Sequence, residues 1–196
     1  IQSVHLANIA CGFHASDFTV MNDTVLLAKK NSVSIGAHPS LPDLQGFGRR
    51  EMAITPVELK ACLTYQVGAL CGFLLTQQQP LNHVKLHGAL YGQTARDPDL
   101  ADAAVSVIPS FYPIAEFSGA PSIAFLGLAG TEHQRAARDK NVPFLAGKCA
   151  TACTNKATLP MSTCQNGLRT LTTMRTANSS SRRGTTPSRS TRSPGV

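Results

Sequence analysis

This 196-residue sequence predicts an α/β protein on a parallel sheet, open or curled into a barrel, followed by a disordered basic tail. Three observations lead there. Short apolar segments alternate with helical patterns, so successive strands are separated by whole helices and cannot be hairpin partners. Thr55-Pro56-Val57-Glu58 spells a capping box with Pro at the first helical position, and a long apolar-striped helix follows it. From about Met161 the aliphatic residues thin out and Ser, Thr and Arg take over. Such a segment cannot bury enough apolar surface to offset the entropy of ordering it.

The elements are expected in this order. Residues 4–11 (VHLANIAC) read as a strand that runs into the turn at Gly12–Ala15. Ser16-Asp17 can cap a helix in which Phe18, Met21, Val25 and Ala28 recur at helical spacing. Lys29 and Lys30 near its end suit the negative pole of the helix dipole. Residues 32–37 form a second strand ending at His38-Pro39, and a Pro- and Gly-rich loop runs to about Ala53. The capping-box helix presents Leu59, Leu63, Val67, Leu70 and Leu74 on one face. A third strand over 82–86 leads to His87-Gly88 and a helix, and Asp97-Pro98 caps the next one. The segment from there to about Pro121 reads as irregular. A fourth strand over 122–128, a helix from Thr131 to about Lys140 and a fifth strand over 142–146 complete the domain.

Charge and cysteine use narrow the function classes. The formal charge is +7, but residues 1–140 carry a net −1 and residues 141–196 a net +8 with no acid, so the basicity belongs to the tail. That tail lacks the aromatics that stack on bases, leaving only salt-sensitive, sequence-independent nucleic-acid contact as an expectation. No unbroken apolar run reaches the roughly 18 residues of a membrane span, and no signal-like stretch opens the chain. Cys11, Cys62, Cys71, Cys149, Cys153 and Cys164 follow neither zinc-ribbon nor dense disulfide spacing, so reduced, mostly buried thiols of a cytoplasmic protein are expected.

The candidate chemistry is positional. His14, His38 and His87 each fall just past the end of a strand, where ligands bind in parallel α/β folds, so they should meet in space. His5, His83 and His133 lie within elements or on a polar helix and read as structural. Asn8, Asp17 and Asp43 can orient imidazoles, act as bases or hold a cation, while Asp17 can equally be only a cap. Arg49 and Arg50 can take carboxylate or phosphate through forked donors, or simply end a solvated loop. Lys85 shares strand parity with His87 and either faces the site or is a costly core charge. Tyr91 can reach the same rim from the following helix. No phosphate-binding GxxxxGK[ST] loop is present.

The segments ANIACGFHASD (7–17), IGAHPSLPDLQGFGRR (35–50), YQVGAL (65–70), HVKLHGALYG (83–92) and GLAGTEHQRAA (127–137) closely resemble the LamB/YcsF family of lactam-utilisation proteins, understood as the A subunit of the ATP-hydrolysing 5-oxoprolinase. The resemblance covers roughly residues 3–147. It implies an irregular seven-stranded β/α barrel of the polysaccharide-deacetylase type, incomplete here because the family's opening strand, with its Asn-Cys-Asp and Gly-Glu motifs, would precede Ile1. It also implies a domain over 1–147 and a divergent segment over 148–160, ahead of the tail that composition marks over 161–196. Leu86 stands where the family usually has Pro, and the acid-free end is what an altered reading frame would give.

The activity implied is ATP-dependent opening of 5-oxoproline, or a related lactam, to L-glutamate together with the B and C subunits. ATP with Mg2+ is the implied cofactor. In that setting Lys85, Arg49, Arg50, Asn8 and Tyr91 would bind substrate or phosphate. His14, His38 and His87 would serve proton transfer or ligation, with Asp17 and Asp43 in orientation or base work. A second expectation keeps the site but places a divalent metal on His14, His38 and His87, as in a metal-dependent deacetylase-like hydrolase. A third is an inactive family member.

Overall fold

The computed structural model describes residues 4–147 apart from 118, 120 and 121. The expected divergent segment and tail lie outside the described residues. Five strands, β1 (Leu6–Ala10), β2 (Ser34–His38), β3 (Leu81–Val84), β4 (Ala124–Gly127) and β5 (Phe144–Ala146), form one sheet in the order β1-β2-β3-β4-β5. Every pairing is parallel. The connections hold α1 (Phe18–Lys30), α2 (Pro56–Thr76), α3 (Gly88–Arg96), α4 (Pro98–Ser106), α5 (Tyr112–Phe117) and α6 (Glu132–Asp139).

Each strand lies beside its sequence neighbour, and the order never reverses. Parallel crossovers are almost always right-handed, so stepping in one direction puts the connecting helices on one face. Accordingly α1 packs on α2, α2 on α4 and α4 on α6, as a single layer. The strand residues facing that layer, Ile9, Ile35, Ala37, Val84 and Phe125, are buried. The opposite face carries a cross-strand row of Asn8, Gly36, His83 and Ala124. Gly36 is required there, because a Cβ would overlap the His83 ring that lies across it.

The helix signals act as expected at most positions. Asp17 caps α1 by accepting from the Val20 N–H at 2.8 Å. Met21, Val25 and Ala28 are buried, whereas Phe18, expected on the same stripe, is 78% exposed in the first turn. The Thr55/Glu58 box closes reciprocally, Thr55 N–H to Glu58 Oε2 at 2.8 Å and Glu58 N–H to Thr55 Oγ1 at 3.3 Å. All five leucine and valine positions named for α2 are buried, joined by Gln66 and Cys71. At 21 residues, α2 is long and apolar enough to cross a membrane by length and composition, a property not expected above. Here its apolar face packs on β2, α1 and α4.

Two expectations change. The segment read as irregular between α4 and β4 contains a 3-10 turn (Ile108–Phe111) and α5. Pro109 and Pro113 each sit in a first turn, where a missing N–H costs nothing. The third strand ends at Val84, so Lys85 follows it instead of lying inside it, although its N–H still donates to Ala37 O at 2.9 Å.

Candidate functional site

Three loops at the C-terminal ends of β1, β2 and β3 bring the imidazoles together. His14 lies in the turn after β1, which reverses through positive φ at Gly12 and Ser16. His38 is the last residue of β2, and His87 precedes α3 as its N-cap without making a side-chain cap bond. The His14 and His87 rings stack face to face with centroids 3.7 Å apart and planes 2° from parallel. His38 stands edge-on to both, at 5.7 and 4.9 Å.

The loop from Pro39 folds back over this cluster. Asp43 accepts from the Gly46 N–H at 2.9 Å and from the Arg50 guanidinium, and Gly48 N–H donates to Asp43 O at 2.8 Å. Ala89 N–H in turn donates to Gly48 O at 2.8 Å, tying the loop to α3. Gly48 has φ +64°, and a Cβ there would press on His87 and His14. The Phe47 ring stands edge-on to His14 at 5.4 Å and to His87 at 5.2 Å, with the Arg49 guanidinium 5.7 Å above it. His14 and His87 are therefore buried, while His38 and Lys85 keep partial exposure.

Each imidazole is fixed by polar partners. His14 Nδ1 lies 2.9 Å from Ser40 Oγ. Ser40 is itself clamped by Gln66, whose Oε1 accepts from Ser40 N–H at 2.9 Å and whose Nε2 donates to Ser40 O at 2.8 Å. His38 Nδ1 lies 2.6 Å from Lys85 O, and His87 Nδ1 lies 3.1 Å from His38 Nε2. His87 Nε2 lies 2.8 Å from Phe47 O.

The electrostatics disfavour positive charge on the rings. Burial pushes His14 down to about 3, with help from the neighbouring His87 and His38. Burial pushes His38 down to about 4; the Lys85 carbonyl opposes this, while His87, Lys85 and His83 add to it. His87 is lowered by burial, with Arg49 and Lys85 adding to it against the pull of the Phe47 carbonyl. The charges of Lys85 and Arg49 are thus felt at the cluster, which suits an anionic ligand. Asp43 is held down to about 2, first by its hydrogen bond from Arg50.

Of the residues expected at the site, His14, His38 and His87 come together with Lys85 beside them, and Arg49 lies over Phe47. Asn8 does not meet this trio: its Oδ1 is 2.9 Å from His83 Nε2. Asp17 serves the α1 amides. Asp43 and Arg50 pair with each other and shape the loop. Tyr91 lies in the helix layer, buried, with its ring 4.7 Å from His133, because the first turn of α3 points it away from the sheet's end. His133 bridges α6 to α3, accepting from Leu128 N–H at 3.2 Å through Nδ1 and meeting Thr94 Oγ1 at 2.8 Å through Nε2, a structural role as expected.

His83, Ser40, Gln66 and Phe47 were not among the expected site residues. His83 has the same strand parity as Lys85 and His87, and Gln66 interrupts the apolar stripe of α2 between Leu63 and Leu70, so both left a signal in the sequence. Ser40 and Phe47 left none.

The three imidazoles do not suit one shared metal ion. In-plane lone pairs of two rings stacked in parallel cannot converge on a single point, and both nitrogens of His38 and of His87 already face protein partners. Among the described residues no group of three or more His, Cys, Asp or Glu side chains is arranged to hold a metal. A separate open cleft of about 500 Å³, lined by Glu51, Gln93, Arg96, Asp97 and Asp99 among others, shares no residue with the cluster.

In all-parallel β/α folds ligands bind at the carboxyl edge of the sheet, and that is the edge where these histidines and Lys85 gather. The LamB/YcsF family model matches residues 1–167, and the chain belongs to that family. It is 48% identical to the lactam utilization protein lamB of Emericella nidulans over 143 residues, 73% of this chain and 52% of that protein. It is 50% identical to the A subunit of 5-oxoprolinase from Staphylococcus saprophyticus over 131 residues, 67% of this chain and 49% of that one. The crystal structure of the lactam utilization protein from Thermus thermophilus superposes with a TM-score of 0.68 at 41% identity, covering 74% of this chain and 56% of that one. The chain spans about half the length of the curated relatives it matches.

Proposed function

We propose that this chain acts as the A subunit of an ATP-dependent 5-oxoprolinase, hydrolysing the lactam bond of 5-oxoproline to L-glutamate together with the B and C subunits in the cytoplasm. The observation that carries the reading is the convergence of three histidines beside Lys85 in a chain 50% identical, over the matched residues, to a protein named as the A subunit of 5-oxoprolinase. The unreversed strand order supports the further reading that these five strands are part of a seven-stranded, deacetylase-like β/α barrel wall.

The substrate is an unstrained amide bearing a carboxylate, so the site must hold negative charge, supply and accept protons, and admit water. Lys85 and Arg49 offer cationic donors for a carboxylate or phosphate oxygen. ATP with Mg2+, when bound, would supply activation of the lactam oxygen. The imidazoles would carry protons between water and the amide nitrogen that leaves as the ring opens. Asp43, engaged by Arg50, supports this by holding the loop over His14 and His87 and is not the base.

The test is glutamate release from 5-oxoproline by the chain assembled with the B and C subunits of a relative. Turnover that requires ATP is expected. Turnover independent of ATP, or none in an assembled complex, would overturn the proposal.

A further inference from the structure

His38 and His87 form a chain of hydrogen bonds with a backbone carbonyl at each end. From one end it runs Lys85 O, His38 Nδ1, His38 Nε2, His87 Nδ1, His87 Nε2, Phe47 O, with contacts of 2.6, 3.1 and 2.8 Å. Carbonyl oxygens only accept, so each end demands an N–H, one on His38 Nδ1 and one on His87 Nε2. The central contact needs one further proton between the two inward nitrogens. Three protons therefore complete the chain, and two neutral imidazoles bring only two.

Every neutral arrangement leaves at least one contact with lone pair facing lone pair, at a carbonyl or between the rings. A fourth proton is no better, because two N–H groups would then face each other at 3.1 Å. We propose that His38 and His87 are a single acid–base unit that binds one proton and only one while folded, held between the carbonyls of Lys85 and Phe47. Uptake adds a solvent proton to a ring nitrogen at the mismatched contact, inward or outward according to the tautomers present, and release returns it to solvent. The unit's use as the proton carrier for ring opening rests on the function proposed above, whereas its capacity rests on the geometry alone.

Among the described residues the charged and titratable groups that face the pair are Lys85 after β3, His83 within β3, Arg49 on the covering loop and His14 stacked on His87. Lys85 and Arg49 oppose the proton, as does burial, while the completed hydrogen bonds favour it. The midpoint is accordingly expected below the free imidazole value of about 6.5. His14, whose Nδ1 is engaged by Ser40, is not part of the chain and is expected to titrate separately.

The experiment is an NMR titration of the intact chain with 15N-labelled imidazoles, from pH 8 downward. Resonances are assigned with His38→Gln and His87→Gln, each of which removes the signals of one ring, while the measurement itself is made on the unaltered chain. The expected result is one shared midpoint for both rings, uptake of one proton in total and a downfield N–H between the rings that appears with it. Two protons bound while the chain remains folded would overturn the proposal. So would separate midpoints, or no uptake before unfolding. None of these outcomes depends on turnover, so failure here is distinguishable from failure of the 5-oxoprolinase reading.

Discussion

His133 is fully buried and pushed down to about 4 by burial, so the folded chain holds it neutral where an unfolded chain would protonate it. Its contribution is fully present above about pH 6.5 and is lost as pH falls from there to about 4, by roughly 3 kcal/mol in total. His83, also pushed to about 4 by burial, should add to the same slope. Denaturation curves across this window should show stability falling, and His133→Gln should make the fall shallower. An unchanged slope would mean that His133 does not stay neutral in the fold. Gly36 makes a second residue-scale prediction. Gly36→Ala should cost about 1–3 kcal/mol, because its methyl group displaces the His83 ring that reaches Asn8. In Gly36→Ala/His83→Ala the added cost of the methyl group should largely vanish, and a purely additive double variant would contradict the close packing.

The element scale is where the sequence was most legible. α2 announced its start by Thr55 and Glu58 and its inward face by Leu59, Leu63, Val67, Leu70 and Leu74, since capping and helical period are local properties. Thr55→Ala should cost about 1 kcal/mol and Leu63→Ala about 2–5 kcal/mol in thermal or chemical denaturation. A loss at Thr55 as large as that at Leu63 would contradict this division between cap and core. Strand-end histidines were legible for a similar reason, because a parallel sheet sends every strand's end to one edge. What was not legible depends on contacts distant in sequence. Asp43 could not reveal its partnership with Arg50 until the loop was folded, and Tyr91 could not reveal that α3 turns it toward His133. Phe18 shows the limit of periodicity alone, since a first-turn position can fall on the apolar stripe and still lie beyond the neighbouring layer.

At the scale of the whole molecule, the unreversed parallel order puts the helices over one face and leaves Asn8, His83, His38 and Lys85 on or beside the other. That arrangement makes Lys85 the one partly exposed lysine beside three imidazoles among the described residues, so the central claim, that this cluster acts on a lactam, can be tested at this residue. The most direct measurement compares kcat/KM for 5-oxoproline with the thermal midpoint for Lys85→Ala in the chain assembled with the B and C subunits. An ammonium beside developing negative charge in a site shielded from water contributes about 10²–10³ in rate. The account predicts a loss of that size with a thermal midpoint near that of the unaltered chain. Full turnover in Lys85→Ala, or a collapsed midpoint with normal turnover in the folded fraction, would contradict it.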